Sequence, residues 1–234
     1  MVVDDRVAFD GGCLALACSE VQRRQIRDVV LSHAHLDHIA GLPLFVDDLF
    51  STLTEPVRIH AAGSVIEALE KHIFNWEIYP RFSELNNEHG PVLQYHEFTP
   101  QDPFEVKHLT VRAVEVCHKV PSSGFIISDG KSVIALTGDT APTEEFWIAV
   151  NSLPRLDALL IECAFPSNLS GLASISHHLT PGNLSDELTK LERPASAIYV
   201  VNLKPAFRDL VVQEIEELRI GELRILEIGK VYDW

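Results

Sequence analysis

The chain has 234 residues, of which 46% are hydrophobic and 23% charged, enough for one sizeable domain and without the bias of a repeat array or a disordered tail. With 34 acidic against 19 basic residues the net charge is −15, which disfavours a polyanionic partner such as RNA or DNA but leaves room for a small anion if bound metal inverts the local field. No apolar run reaches the roughly 18–20 residues of a membrane span. The acidic start Met1–Arg6 lacks the basic and apolar pattern of a signal peptide, so the expected setting is cytoplasmic.

Ile26–Ser32 has the pattern of a strand running into a His-rich loop, and Gly41–Ser51 that of a helix with Leu42, Phe45, Val46, Leu49 and Phe50 on one face. Val57–Ala61 is a further strand, and Ser64 with Glu67 predicts a capping-box helix reaching about Phe74. Residues 75–103 show no clear period, and the stretch 62–108 is expected to be an irregular and helical segment roofing a site. Leu109–Cys117 alternates as a strand. Gly124–Ser128 and Ser132–Leu136 flank Asp129-Gly130, a hairpin signal. A helix over Thr143–Leu153, a strand Asp157–Ile161, a helix Pro181–Leu191, a strand Ala197–Val201, a helix Phe207–Leu218 and a strand Leu223–Ile228 complete an α/β or α+β pattern.

The segment His33-Ala34-His35-Leu36-Asp37-His38 puts three imidazoles and a carboxylate within six residues. His33 and His35 alternate, so at a strand end both face one way, whereas Asp37 and His38 turn toward a second ion. Imidazole with carboxylate suits zinc, and also manganese or iron. Further ligands are expected at later strand ends: His118 follows the strand ending at Cys117, and Asp139 follows the hairpin in Leu136-Thr137-Gly138-Asp139-Thr140. A carboxylate there can bridge two ions at about 3.5–4 Å, the spacing that activates a shared hydroxide. Four cysteines without a C-x-x-C pair argue against a zinc ribbon or a redox site.

These pieces resemble the metallo-β-lactamase superfamily, and within it the class II cyclic-nucleotide phosphodiesterases. The resemblance is carried by HAHLDHIAG at 33–41, CHKVPSSGFII at 117–127, TGDT at 137–140, IECAF at 161–165, HLTP at 178–181 and NLKP at 202–205. It implies a four-layer αββα sandwich over a single domain, 1–234. It implies two divalent metal ions: one on His33, His35 and His118, the other on Asp37 and His38, with Asp139 bridging. It also implies that Glu162 and His178 form a pair that protonates the leaving oxygen, with His177 as the local competitor for that role.

Two features depart from the pattern. Asn202 stands where the family has a seventh ligand, a histidine; an amide oxygen is a weaker donor, so the second ion is expected to be weakly held or absent. The start of the chain is short, so the usual N-terminal edge strand is expected to be missing, shortened or supplied by a second copy, which admits a homodimer. The leading expectation is hydrolysis of a small phosphodiester, a 3′,5′-cyclic nucleotide opened to the 5′-monophosphate. Trp76, Tyr79 and Phe82 would stack on a base; the plainer reading of these aromatics is core or dimer contact. The alternatives are a tRNA 3′-endonuclease, a thioesterase or a lactonase on the same scaffold, and a degenerate metal- or nucleotide-binding sensor without turnover.

Overall fold

The computed structural model describes residues 1–192, 195–221 and 223–234. The chain has two compact units, Met1–Asp102 and Pro103–Trp234, each built on its own sheet.

In the first unit the strands lie in the order Val2–Val3, Val7–Phe9, Asp28–Val30, Val57–Ala61 and Leu93–Glu97. The first pair is antiparallel and the rest are parallel, so the carboxyl ends of the last four strands share one edge. Val29, Ile59 and Ala61 meet Leu42, Phe45, Val46 and Leu49 of the helix Leu42–Leu49 in one apolar cluster. The four apolar positions recur at helical spacing, so one stripe is buried while Leu44 stays exposed.

The structure refines several expectations. The N-terminal edge strand, expected to be missing, shortened or supplied by a second copy, is the two-residue Val2–Val3. Residues 75–103 contain the strand Leu93–Glu97, paired parallel with Val57–Ala61. Its outward positions are polar because it is an edge strand, which removes the alternation that marks half-buried strands. The helix Gly63–His72 is capped by Ala62, not by the proposed Ser64–Glu67 box. The capping box of this unit is at Ser19 and Gln22, whose side chains each bond the other's backbone N–H.

The second unit has the strand order Leu223–Ile225, Ala197–Val201, Ala158–Glu162, Val133–Leu136, Ser123–Ser128, Leu109–Glu115, Pro103–Val106. The four strands from Leu223–Ile225 to Val133–Leu136 are mutually parallel. Ser123–Ser128 runs antiparallel to both neighbours, so Leu109–Glu115 again points the same way as the parallel set. The hairpin is closed by Asp129, whose Oδ1 accepts from Lys131 N and Ser132 N, and by Gly130 at φ +85°. Phe146, Trp147, Leu159, Ile161, Val200 and Val211 form the core that joins the sheet to its helices. Among the described residues, no helix is long and apolar enough to cross a membrane.

Candidate metal and acid–base site

In the first unit the strand Asp28–Val30 ends at the edge where Ser32 and His33 follow, and the chain then turns into the short helix Leu36–Ile39 that carries Asp37 and His38. The His33 ring centroid lies 4.6 Å from that of His35 and 4.1 Å from that of His38. His33 is buried, His35 and His38 are half-buried and Asp37 is exposed. Asp10, which follows the neighbouring strand Val7–Phe9, holds this group together. Its carboxylate accepts from Ser32 N at 2.8 Å and from Ser32 Oγ at 2.9 Å, and its Oδ2 lies 2.8 Å from His38 Nδ1. Ser32 donates its one hydroxyl hydrogen bond to Asp10, so at 2.9 Å its Oγ accepts from His33 Nδ1.

In the second unit the topology explains the gathering. His118, Asp139, Glu162 and Asn202 come at or just beyond the carboxyl ends of four strands that point the same way, and such ends are where open α/β sheets bind ligands. His118, Asp139 and His178 each offer a ligand atom within 4.8 Å of the others. His118 Nδ1 donates to the His177 carbonyl at 3.0 Å, and His178 Nδ1 lies 2.8 Å from Glu162 Oε1. Thr140 N and Leu179 N also donate to the fully buried Glu162. Burial pushes the Glu162 carboxyl up to about 7, with His178 opposing it. Burial would lower His178, but the hydrogen bond and charge of Glu162 outweigh that and raise it. The pair therefore carries a proton in the neutral range.

Three of the imidazoles, His33, His38 and His118, thus engage Nδ1 with a protein partner. That fixes a tautomer whose lone pair is on Nε2, the arrangement that protein partners impose on metal-ligating histidines. The donor set fits a divalent, borderline-soft cation such as zinc.

A family described as the beta-lactamase superfamily domain matches residues 13–200. The chain belongs to the metallo-β-lactamase superfamily. It is 28% identical over 227 residues, 86% of its length, to a Yersinia pestis protein named "Probable 3′,5′-cyclic-nucleotide phosphodiesterase". It is 29% identical over 244 aligned positions, again 86% of its length, to 3′,5′-cyclic-nucleotide phosphodiesterase 1 of Saccharomyces cerevisiae. The chain spans 63% and 64% of the lengths of these two curated relatives. Among solved structures, the metallo-beta-lactamase fold protein YhfI of Bacillus subtilis superposes with a TM-score of 0.77 at 19% identity, covering 99% of this chain and 89% of that one. The metallo-β-lactamase fold expected from the motifs is the fold of this chain.

Within that fold the remaining expected residues take definite positions. Asn202 has a left-handed backbone at φ +56°, which asparagine tolerates, and its Nδ2 donates to Asp139 Oδ1 at 2.6 Å. The amide nitrogen has no lone pair for a cation, and the contact with Asp139 leaves the amide oxygen as the only ligand atom Asn202 could offer. His177 turns its Nδ1 to within 3.8 Å of Cys117 Sγ, which leaves His178 as the partner of Glu162. Phe82 is 1% exposed and packs on Phe50, Phe74 and Tyr79; the reading of Phe82 as a base-stacking residue gives way to a core role. Trp76 is 56% exposed at φ +69°, and Tyr79 is half-buried.

Two contributors escape a reading of the sequence. Asp10 is one acid among 34, and its only signal is its place after a strand and before Gly11-Gly12. Gly12 itself is needed for close approach: a Cβ there would sit 1.7 Å from the Asp37 carbonyl oxygen. Gly12→Ala is accordingly expected to displace the Asp37 turn and weaken metal binding by about tenfold or more, while the far-ultraviolet circular dichroism stays unchanged. Calorimetric titration of the metal-stripped protein with Zn²⁺ checks this; an unchanged affinity would show that the turn does not shape the site.

Proposed function

We propose that this chain is a metal-dependent phosphodiesterase that opens a 3′,5′-cyclic nucleotide to the 5′-monophosphate. The observation that carries the reading is the Glu162–His178 pair beside His118 and Asp139 at one sheet edge. In this proposal His33, His35 and His118 would hold one divalent ion, Asp37 and His38 would hold a second, and Asp139 would be a further ligand. Asn202 leaves the second ion one imidazole short. Zinc fits the donors best, with manganese or iron as alternatives. When bound, divalent metal supplies Lewis-acid polarisation of the phosphodiester and lowers the pKa of water to about 7.

The protein's own residues do the rest. Glu162 orients His178 through Nδ1, so that Nε2 is the atom from which a proton passes to the leaving 3′-oxygen. Asp37 and Asp139 offset part of the ionic charge, and a single phosphodiester anion suits what remains. Trp76 and Tyr79 are the candidates for stacking on the base. The net charge of −15 supports a small substrate over RNA. The free thiols Cys13, Cys18, Cys117 and Cys163 fit a reducing compartment such as the cytoplasm. The two-residue edge strand Val2–Val3 offers a surface on which two copies could pair as a homodimer.

A panel of cyclic mono- and dinucleotides, precursor tRNA, a lactone and a thioester, each with Zn²⁺ or Mn²⁺, tests the reading. Turnover confined to cyclic nucleotides is expected. Turnover of precursor tRNA, the lactone or the thioester alone would transfer the site to that chemistry. A protein that binds metal and nucleotide but turns over none of the panel would be a sensor.

A further inference from the structure

We propose that His177 is a positioning residue that acts through its backbone: its left-handed turn aims its carbonyl at His118 Nδ1 and thereby holds the His118 Nε2 lone pair toward a metal. The inference rests on the reading of His118 as a metal ligand.

The helix Ser170–Ser176 ends at His177, whose φ of 58° and ψ of 58° put it in the left-handed region. Helices commonly end this way, but with glycine or asparagine at the turn; a histidine adopts it at a cost. Strain of this kind persists where the surroundings over-determine it, and here they do. His178 N bonds the Ala173 carbonyl at 2.9 Å and His177 N that of Ser174 at 3.4 Å, closing the turn from the helix side. The His177 carbonyl then accepts from His118 Nδ1 at 3.0 Å, and the next residue delivers its own Nδ1 to Glu162. Leu179 N follows on to Glu162 Oε2. Three consecutive residues thus anchor a ligand imidazole and the acid–base pair, and the direction of all three contacts follows from the backbone angle at His177. The Cys117 contact at 3.8 Å is a weaker addition made by the side chain.

A glycine or asparagine at 177 keeps the left-handed turn and the carbonyl, whereas a valine, β-branched and confined to negative φ, does not. Loss of a partner that orients a ligand typically weakens metal binding 10- to 100-fold. His177→Val is therefore expected to weaken Zn²⁺ affinity by about tenfold or more, and His177→Gly and His177→Asn to stay within about threefold of the unsubstituted protein. An unchanged affinity in His177→Val would overturn the proposal. An equal loss in all three would do the same, since it would assign the role to the side chain.

A second measurement stands even if the valine variant does not fold. Long-range ¹H–¹⁵N spectra of the metal-stripped protein should show neutral His118 as the Nδ1–H tautomer; an Nε2–H tautomer would contradict the proposal. His118→Ala separates the two claims. Full metal affinity in that variant would remove His118 from the ligand set while the tautomer result still judged the turn.

Discussion

Replacing His178 with alanine is expected to lower kcat on a 3′,5′-cyclic nucleotide by about 10²- to 10⁴-fold, the usual range for removal of a general acid. KM should change little, because the group acts on the leaving oxygen as the bond breaks. The geometry behind the expectation is local to one sheet edge. Glu162 is completely buried, takes hydrogen bonds from Thr140 N and Leu179 N, and lies 2.8 Å from His178 Nδ1, so rotating the ring would cost a buried carboxylate one of its three hydrogen bonds. Glu162→Gln should show a smaller loss of the same kind, since an amide can hold the ring but stabilises the imidazolium less. A substrate with a nitrophenyl leaving group separates acid catalysis from damage to the fold: such a group departs without a proton, so the alanine variant should nearly recover on it. An equal loss on both substrates would show that His178 serves another purpose.

The largest effect on stability is expected in the first unit. In the first sheet, Asp28 accepts from Arg58 Nε at 2.8 Å and Nη2 at 3.0 Å, and its Oδ1 lies 2.9 Å from His60 Nε2. The carboxylate is 2% exposed. Burial pushes the Asp28 carboxyl up, but hydrogen bonds from His60 and Arg58, together with their charges, outweigh it and hold the group well below the usual carboxylate range. Asp28→Asn keeps the shape and removes the charge, so Arg58 loses its buried counter-ion and keeps only the more exposed Glu55; the expected cost is about 2–3 kcal/mol, below that of a buried charge left wholly unpaired. The sign with pH follows from the depressed value. The contribution is present in full above the unfolded carboxyl value of about 3.9 and is lost as pH falls from there toward the folded value. Urea unfolding at pH 7 and at pH 3 should therefore show a larger difference between the two proteins at pH 7. A difference independent of pH would mean that packing, rather than charge, is what the substitution removes.

How much of this was legible before the fold is explained by the physics of each element. His33, His35, Asp37 and His38 stand out because four donors within six residues have no ordinary structural use. His118 and Asp139 could be found because each follows a β-branched run; Ala197–Val201 emerges at the expected bounds because it is continuously apolar, and Val57–Ala61 because Arg58 and His60 alternate with its apolar residues. Leu93–Glu97 was hidden by the polar exterior of an edge strand. Phe82 looked available because an aromatic in an irregular stretch carries no mark of burial, whereas Phe50, Phe74 and Tyr79 enclose it. Asp10 and the carbonyl of His177 were out of reach for a different reason: each acts on a residue distant in sequence, Asp10 on His38 and His177 on His118, through one atom with no compositional signature.

Asn202 stands where the motif resemblance implies a histidine ligand. With its amide nitrogen on Asp139 Oδ1, it anchors that carboxylate. Asn202→His is expected to raise the number of ions bound per chain or the affinity for the weaker one.

The central claim is metal-dependent hydrolysis of a cyclic nucleotide, and the most direct measurement is product formation during metal titration. Chelator-stripped protein would be titrated with Mn²⁺ or Zn²⁺ in the presence of 3′,5′-cyclic AMP, with bound metal and nucleotide products quantified together. 5′-AMP is expected to appear in proportion to bound metal, and none with His33→Ala. Full metal occupancy with no product, or product formed by the stripped protein, would contradict it.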